Sequence, residues 1–321
     1  MTNPPALGIC FDRAFGACEV ADYARRVEQA GLAELWLIED CFFTTAPPLA
    51  AAALTATEQL TVGLGVLPAV ARTAAVTAME IATLESLAPG RVVGGIGHGV
   101  QSWMAQMGVR PASPVTALRE ALTVVRQLLA GETVDSTGDY VTARDITLEH
   151  RPQQVPPVVA GVRGPRSLAM TGEYADGVLL DAPCPVDALV AARRHTGRTD
   201  QGFQHRCYAT LCVLPDRQEA RRIAAPFLAE MVGHGHSGLR ATGFFDDLQR
   251  LVERHGTDWA DHAPDEWWTQ LGAIGNLDDA VTYVDAMRGA GIDAISFFPA
   301  DELPIALEQI RTAGEIAAQL G

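Results

Sequence analysis

The chain has 321 residues, a formal net charge of -15 and no lysine, so all 24 of its basic residues are arginines. This acidic balance disfavours nucleic acid and anionic membranes as partners, because both bind basic patches. Without lysine, Schiff-base catalysis and a P-loop phosphate site are excluded. The cysteines form no CxxC pair, so their spacing indicates neither a zinc ribbon nor a thioredoxin site, and free buried thiols are the simpler interpretation.

Membrane and export signals are also missing from the sequence. Every apolar run is shorter than the roughly 18–20 residues that are needed to span a bilayer. Met1–Pro5 shows no basic region followed by an apolar segment, so no secretory signal is visible. We therefore expect a cytoplasmic protein whose partner is a small molecule.

The N-terminal part of the chain alternates short apolar runs with helical patterns. Between Leu60 and Gly99 a strand, a helix and a second strand follow one another closely, which is typical of a right-handed βαβ unit in a parallel sheet. The predicted strands here are Ala6–Phe11, Glu34–Ile38, Thr61–Leu67 and Arg91–Ile96. The predicted helices are Val20–Ala30, Leu49–Glu58 and Ala74–Leu87.

The same alternation continues to the end of the chain, with three departures. Val100–Pro114 is predicted as a loop, Gly131–His150 as an excursion with a tight turn and a short strand at Ile146–Leu148, and 216–271 as a mainly helical insertion. The predicted strands are Pro156–Ala160, Asp176–Asp181, Arg206–Leu214 and Asp293–Phe298, and the predicted helices are Thr116–Leu129, Ser167–Tyr174, Ala280–Gly289 and Pro304–Leu320.

Eight strands that alternate with helices favour one fold class. They predict a single α/β domain over 1–321, a (β/α)8 TIM barrel with a helical insertion at about 216–271 before the last strand. A doubly wound parallel sheet is the alternative. In either fold, ligands bind at the carboxyl ends of the strands, so the candidate site residues are expected there.

The second predicted strand ends in two carboxylates, a thiol and two aromatic residues. Asp40 is a site candidate because an acidic residue at a strand end must be either solvated or functional, although it can also cap the next turn. Cys41 follows it as a second candidate. Phe42 and Phe43 come next and are candidates for the wall of a substrate pocket.

The fourth predicted strand ends in a glycine-rich stretch around His98. This stretch fails the Rossmann spacing, because Val100 stands where the third glycine is required. Gly97 and Gly99 expose backbone against which a flat ring can lie. His98 is therefore interpreted as a ring contact or a proton donor, with an exposed loop histidine as the alternative.

The clearest ligand signal is the hexapeptide GVRGPR at Gly161–Arg166, which follows the fifth predicted strand. Gly161 and Gly164 free backbone N–H groups for an anion, and Pro165 suits the first position of the next helix. Arg163 and Arg166 can pair with a phosphate. A plain strand-to-helix turn with two surface arginines is the alternative.

Several other motifs are set aside. His234 and His236 lack a third ligand at useful spacing, so no metal site is predicted, and HGHSG is interpreted as a flexible turn. Trp267 and Trp268 are interpreted as anchors for the inserted helices. Because neither a GxSxG elbow nor an HExxH helix occurs, we expect a cofactor to supply the chemistry.

The chain resembles the luciferase-like family of flavin- and deazaflavin-dependent oxidoreductases, in particular its methylenetetrahydromethanopterin-reductase-like branch. The stretches that carry the resemblance are Ala30–Phe43, Leu60–Gly99, Leu118–Gly138, Val158–Asp181 and 275–299. The resemblance implies a TIM barrel, a homodimer, and a cofactor at the carboxyl ends of the strands. It also implies a cis peptide bond at Gly65–Val66 that bulges against the cofactor ring, with Gly97–Gly99 beside the ring and Gly161–Arg166 on the phosphate side.

Two departures from the family pattern concern the substrate. Cys41 replaces the histidine that usually follows the acidic residue, which Asp40 matches, and Val100 replaces the glutamate of the sugar-phosphate dehydrogenases. Both changes argue against oxidation of glucose 6-phosphate. With no lysine, a substrate phosphate would depend on arginine alone.

The leading hypothesis is a coenzyme F420-dependent oxidoreductase that transfers a hydride between the deazaflavin and a small organic substrate, with reduction of C=C, C=N or C=O favoured over alcohol oxidation. An FMN-dependent monooxygenase and a non-catalytic flavin-binding barrel are the alternatives. Asp40, Cys41 and His98 are the candidate proton donors. The candidate pocket walls are Phe42, Phe43, Trp103, Asp181 and Cys184.

Overall fold

Short apolar runs in the sequence form parallel strands that close into a barrel in a computed structural model describing residues 4–320. The strands are β1 (Ala6–Phe11), β2 (Glu34–Ile38), β3 (Thr61–Pro68), β4 (Val92–Gly97), β5 (Val134–Thr137), β6 (Thr142–Ile146), β7 (Val158–Gly161), β8 (Gly177–Leu180), β9 (Gln204–Val213), β10 (Ala273–Gly275) and β11 (Ala294–Phe298). The barrel order is β1-β2-β3-β4-β7-β8-β9-β11, and β11 pairs with β1 to complete the ring. The predicted TIM barrel is confirmed.

Helices cover the outside of the barrel. They are α1 (Val20–Gln29), α2 (Ala46–Ala56), α3 (Ala74–Leu87), α4 (Gln101–Gln106), α5 (Pro114–Leu129), α6 (Pro165–Tyr174), α7 (Val186–Thr196), α8 (Arg217–Gly233), α9 (Ser237–Arg240), α10 (Phe245–His255), α11 (Asp265–Leu271), α12 (Leu277–Ala290) and α13 (Leu303–Leu320), with short 3₁₀ turns at Ala17–Glu19 and Gly256–Asp261. None of these helices is both long enough and apolar enough to cross a membrane.

The apolar side chains divide into three clusters. The largest lies between the strands and the surrounding helices, as expected for parallel strands that are covered on their outer face. A second fills the inside of the barrel, where Trp36 packs edge-on against Tyr208 with ring centroids 5.7 Å apart. The third belongs to the insertion, where Trp259 and Trp268 stack at 4.9 Å. Trp268 therefore anchors the inserted helices, as predicted.

The structure corrects three local predictions. Val100–Pro114 contains the short helix α4, and the Gly131–His150 excursion is an antiparallel hairpin of β5 and β6. The strand β10 was missed because its three residues are too few to show a period; it pairs with the outer end of β9, with Ala273 opposite Leu211. This pairing extends β9 beyond the barrel rim toward α8, which is relevant to the shape of the cleft.

Candidate active site

A cleft of about 1570 Å³ opens at the carboxyl ends of the barrel strands. This is the position at which barrel enzymes bind their ligands, since the loops after the strands converge there. The predicted site residues that line the cleft are Asp40, Cys41, Gly65, Val66, His98, Gly99, Trp103, Gly161, Arg163, Gly164 and Asp181. Residues from the ends of five different strands, far apart in sequence, are thus brought together.

Six other predicted site residues do not line the cleft. Cys184 is buried in the core, where its backbone carbonyl accepts a 2.8 Å hydrogen bond from the Tyr283 hydroxyl. Phe42 and Phe43 are largely exposed, because the chain turns outward after β2, and the Arg13 guanidinium lies 5.0 Å from the Phe43 ring centroid. Pro165 and Arg166 are exposed on the first turn of α6. Gly97 is buried beneath Val66.

Val66 forms part of the cleft floor and explains the glycines around it. The Gly65–Val66 peptide bond is cis, which confirms the expectation from the resemblance; Cys41–Phe42 and Ala182–Pro183 are cis as well and were not anticipated. A Cβ added to Gly97 or to Gly161 would lie 2.7 Å from a methyl carbon of Val66. These two glycines therefore make room for Val66, and the valine, rather than bare backbone, faces the ligand space above them.

Tyr208 places a free hydroxyl group at the floor of the cleft. Its side chain comes from β9 and is only 6% exposed, yet within residues 4–320 its hydroxyl has no hydrogen-bond partner. A Cβ on Gly65 would lie 1.9 Å from that oxygen, so Tyr208 can occupy its position only because residue 65 is glycine. Burial raises the pKa of Tyr208 well above its usual value, so the phenol stays protonated and can donate. Sequence analysis missed it, because one tyrosine in an apolar strand has no distinguishing pattern.

His98 is held neutral by its surroundings. Its Nδ1–H donates to the carbonyl of Pro114 at 3.1 Å, and the Ser167 hydroxyl donates to its Nε2 at 2.9 Å. Burial, together with the positive charge of Arg163, lowers the pKa of His98. Both ring nitrogens are therefore occupied, which favours a ring contact over the predicted role in proton donation.

Acidic and thiol groups line the cleft at the ends of β1 and β2. Asp40 accepts a 2.6 Å ion-pair hydrogen bond from Arg13, so its charge is compensated. Burial, and then the charges of Glu39 and Asp40, raise the pKa of the Cys41 thiol, which stays protonated at neutral pH. Burial also raises the pKa of Asp12, which follows β1 and lines the cleft. Asp12 was missed, although the strand-end reasoning applied to Asp40 would have found it.

Glu39 has a structural role beside these groups. Its carboxylate accepts hydrogen bonds from Arg72 at 2.5 and 2.7 Å and from the backbone N–H of Ala46 at 2.8 Å. Because Arg72 also pairs with Glu80, the three side chains form a network that fixes the end of β2. This network orients the loop that carries Asp40 and Cys41.

The predicted phosphate loop is open to an anion, although its arginine has a partner. Arg163 forms a 3.1 Å ion pair with Asp181, and both side chains are more than one-third exposed. Exposed pairs of this kind are worth about 1 kcal/mol or less, so an anion can displace Asp181 at small cost. A Cβ on Gly164 would meet nothing within 4 Å, so space remains in front of the α6 N-terminus.

His236 is buried beside this loop, which corrects the interpretation of HGHSG as a flexible turn. Its Nδ1 accepts from the backbone N–H of Gly238 at 3.2 Å, so Nε2 carries the proton in the neutral ring. Nε2 lies 3.3 Å from Asp181. His236 therefore lies next to the carboxylate that pairs with Arg163, without a hydrogen bond of regular geometry to it. Among residues 4–320, no cluster of three or more His, Cys, Asp or Glu side chains is arranged to hold a metal ion.

Solved structures share this architecture. An F420-dependent tetrahydromethanopterin reductase from Methanopyrus kandleri superposes with a TM-score of 0.82 at 21% identity, covering 99% of this chain and 100% of that one. An F420-dependent secondary alcohol dehydrogenase bound to an F420–acetone adduct gives 0.76 at 19% identity, with 99% of each chain covered. An FMN-bound diketocamphane monooxygenase from Pseudomonas putida gives 0.71 at 17% identity, with 98% of each covered. At these identities the likeness concerns the fold.

Comparison of sequences identifies the family to which the chain belongs. The 5,10-methylenetetrahydromethanopterin reductase of Methanolobus tindarius is 29% identical over 262 residues, 78% of this chain and 75% of that protein. The F420-dependent glucose-6-phosphate dehydrogenase of Kineococcus radiotolerans is 32% identical over 324 aligned positions, 91% of this chain and 94% of that protein. The family model for luciferase-like monooxygenases matches residues 11–294. This chain therefore belongs to the luciferase-like monooxygenase family.

Proposed function

We propose that this protein is a coenzyme F420-dependent oxidoreductase that transfers a hydride between the deazaflavin ring and a small organic substrate. The observation that carries the proposal is the unpartnered hydroxyl of Tyr208, buried at the floor of a cleft where barrel enzymes bind their ligands. A buried donor without a partner suits a ligand with a polar ring edge. The relative named as an F420-dependent glucose-6-phosphate dehydrogenase suggests the identity of that ligand.

The residues present fit such a cofactor. Val66 offers an apolar surface for one face of a ring, and Tyr208 offers a donor to its edge. Gly164, Arg163 and the N-terminus of α6 would hold the phosphate, because N–H groups and the helix dipole favour an anion there. When bound, reduced F420 supplies a hydride.

The chain's own residues would align the substrate and provide a proton. A group that donates a proton at neutral pH must keep it there, and burial raises the pKa of both Asp12 and Cys41. Asp12 is the better candidate of the two, since a rise brings the pKa of a carboxyl toward neutrality and takes the pKa of a thiol further away from it. Asp40, the first candidate from the sequence, is paired with Arg13 and is the weaker choice.

The substrate is proposed to lack a sugar phosphate. Val100 and Cys41 both line the cleft, so the two departures from the family pattern lie at the site itself. A valine cannot exchange protons, and the Cys41 thiol is uncharged. We therefore favour reduction of a C=C, C=N or C=O bond over oxidation of glucose 6-phosphate.

Equilibrium binding of F420 and of FMN, measured side by side by fluorescence, tests the cofactor. Micromolar or tighter binding of F420 with negligible binding of FMN is expected. Preference for FMN would overturn the proposal in favour of an FMN-dependent monooxygenase, the second candidate, which the FMN-bound structure with the same fold favours. Oxygen consumption by the reduced, loaded protein then separates the two chemistries.

We also propose a homodimer in the cytoplasm. Val76, Met79 and Leu87 are exposed apolar residues on one face of α3, and covering this stripe would remove hydrocarbon from water. The six cysteines are free thiols, which a reducing compartment preserves. Light scattering should give the mass of two chains for the wild type. Met79→Glu should lower the measured mass toward that of one chain, whereas Val190→Glu, at an exposed position on α7, should leave the mass unchanged. A monomeric wild type would contradict the dimer.

A further inference from the structure

The cleft has a second part that extends away from the cofactor-binding residues. Beyond the barrel rim it runs between α8 and α13, beside the outer end of β9. We call this part the apolar arm, and it is lined by Leu211, Leu214, Ile223, Phe227, Met231 and Ile305. The three residues from α8 are spaced four apart, so they form one continuous stripe on the helix surface.

Hydrocarbon in the apolar arm remains open to solvent. Ile223 is 58% exposed, Phe227 38% and Ile305 46%, although all three line the same cleft. Leaving such side chains in contact with water is unfavourable, and an apolar ligand would remove that cost. The volume supports a second ligand, because about 1570 Å³ exceeds the roughly 300–1,000 Å³ of a typical single-ligand pocket.

The charges of the apolar arm disfavour an anionic ligand. The charged residues of the cleft on α13 and the loop before it are Asp301, Glu308 and Arg311. Arg311 is already paired, 3.5 Å from Glu308 and also with Glu315. Acidic groups therefore outnumber the one arginine among the described residues of this arm, and their negative charge disfavours a carboxylate or a phosphate there.

A polar group stands where the apolar arm meets the cleft floor. Thr210 lies two residues after Tyr208 on β9, so both side chains point to the same side of the strand. The Thr210 hydroxyl is buried and, like that of Tyr208, has no partner among residues 4–320. A carbonyl or hydroxyl group of a ligand could use it, and Cys212, the next residue on the same side of β9, also lines the cleft.

We propose that the apolar arm binds the hydrocarbon part of an uncharged substrate, whose single polar reacting group lies beside the Thr210 hydroxyl. The proposal rests on the proposed function only in assigning the reacting group to the cofactor side of the cleft. The substrate class is that of ketones, enones or alcohols that carry an alkyl or cyclic apolar group. Ile223, Phe227 and Ile305 then determine which chain lengths are accepted.

Calorimetric titration with methyl n-alkyl ketones, from 2-butanone to 2-octanone, tests this proposal. Affinity should rise about fourfold per added methylene, the value expected for burying one CH₂. The sodium alkanoates of equal length should bind at least tenfold more weakly. Titrations with and without F420 separate the two proposals, because a protein that fails to bind F420 can still show the chain-length dependence.

Variants locate the binding. Phe227→Ser and Ile223→Ser should each reduce the gain per methylene, whereas Val190→Ser, an exposed apolar position on α7 outside the cleft, should leave it unchanged. All three positions are exposed, so we expect the variants to fold, which circular dichroism checks. Affinity that is independent of chain length, equal binding of the alkanoates, or no effect of either cleft variant would overturn the proposal. A change of oligomeric mass in Ile223→Ser would show that a second copy covers the arm, and would overturn it too.

Discussion

The inner cleft and the apolar arm are built on different principles. The inner part is made by strand ends inside the barrel, where Val66 sits on glycines and Tyr208 is locked between Trp36 and Phe298. The arm is made by helix faces that leave their apolar side chains half open. Packing therefore fixes the geometry of the inner part, while the arm, for which we propose a role in substrate selection, tolerates change. Variants in the two regions should separate activity and stability from specificity.

The largest effect is expected at Asp12. Asp12→Asn should lower kcat about a hundredfold, because it removes the proton without changing the shape of the side chain. Asp40→Asn is the matched control and should cost much less, since Asp40 is paired with Arg13. Steady-state kinetics with reduced F420 measure kcat for both variants. A larger loss of kcat in Asp40→Asn than in Asp12→Asn would assign the donor role to Asp40 instead.

The contribution of Asp12 to the stability of the fold depends on pH. Because burial raises its pKa in the folded state, the stability that it contributes is fully present below its unfolded pKa and is lost as the pH rises through the folded value. Asp12→Asn should therefore stabilise the protein more at about pH 7 than at about pH 3, below the unfolded pKa of about 3.9. Urea unfolding at the two pH values measures the difference, and equal effects would argue against a raised pKa.

Gly97→Ala should destabilise the fold by about 1–3 kcal/mol, the usual cost of overpacking. Its Cβ would meet Val66 at 2.7 Å and the Gly161 carbonyl oxygen at 3.1 Å. Gly164→Ala is the control, with open space and a φ of -82° that alanine adopts readily. Val66→Ala combined with Gly97→Ala should recover part of the loss. If urea unfolding shows no gain in stability for the double variant over Gly97→Ala, contact with Val66 is not the reason that residue 97 is glycine.

Tyr208→Phe should weaken F420 binding about five- to tenfold, the value of one hydrogen bond, without lowering stability. In the protein alone the hydroxyl has no partner among the described residues, so its removal breaks no contact. Tyr283→Phe provides the opposite control, because that hydroxyl donates to the Cys184 carbonyl at 2.8 Å away from the cleft. It should lower stability by about 1 kcal/mol and leave F420 binding unchanged. Unchanged F420 binding in Tyr208→Phe would remove the main support for the cofactor site.

The smallest effect is expected in the apolar arm. Phe227→Ser should change the free energy of unfolding by no more than about 0.5 kcal/mol, because the side chain is exposed and belongs to none of the three apolar clusters. A loss of several kcal/mol would show that the arm belongs to the packed core, and the contrast between the two regions would then fail.

The sequence by itself determined the barrel and the edge at which ligands bind. Eight apolar runs separated by helical patterns specify parallel strands, and Asp40, His98 and Arg163 were placed at strand ends by local order alone. These are short-range properties, since periodicity and turn residues act over a few positions.

The tertiary structure decided which of these groups are available for chemistry. The hydrogen bond at Nε2 of His98 comes from Ser167, 69 positions away, and His236 is buried 3.3 Å from Asp181. The space for Val66 depends on glycines of two other strands, and the apolar arm on two helices that are distant in sequence. Burial and hydrogen-bond partners come from contacts between distant segments, so they set pKa values and cleft shape in ways that local sequence patterns do not reveal.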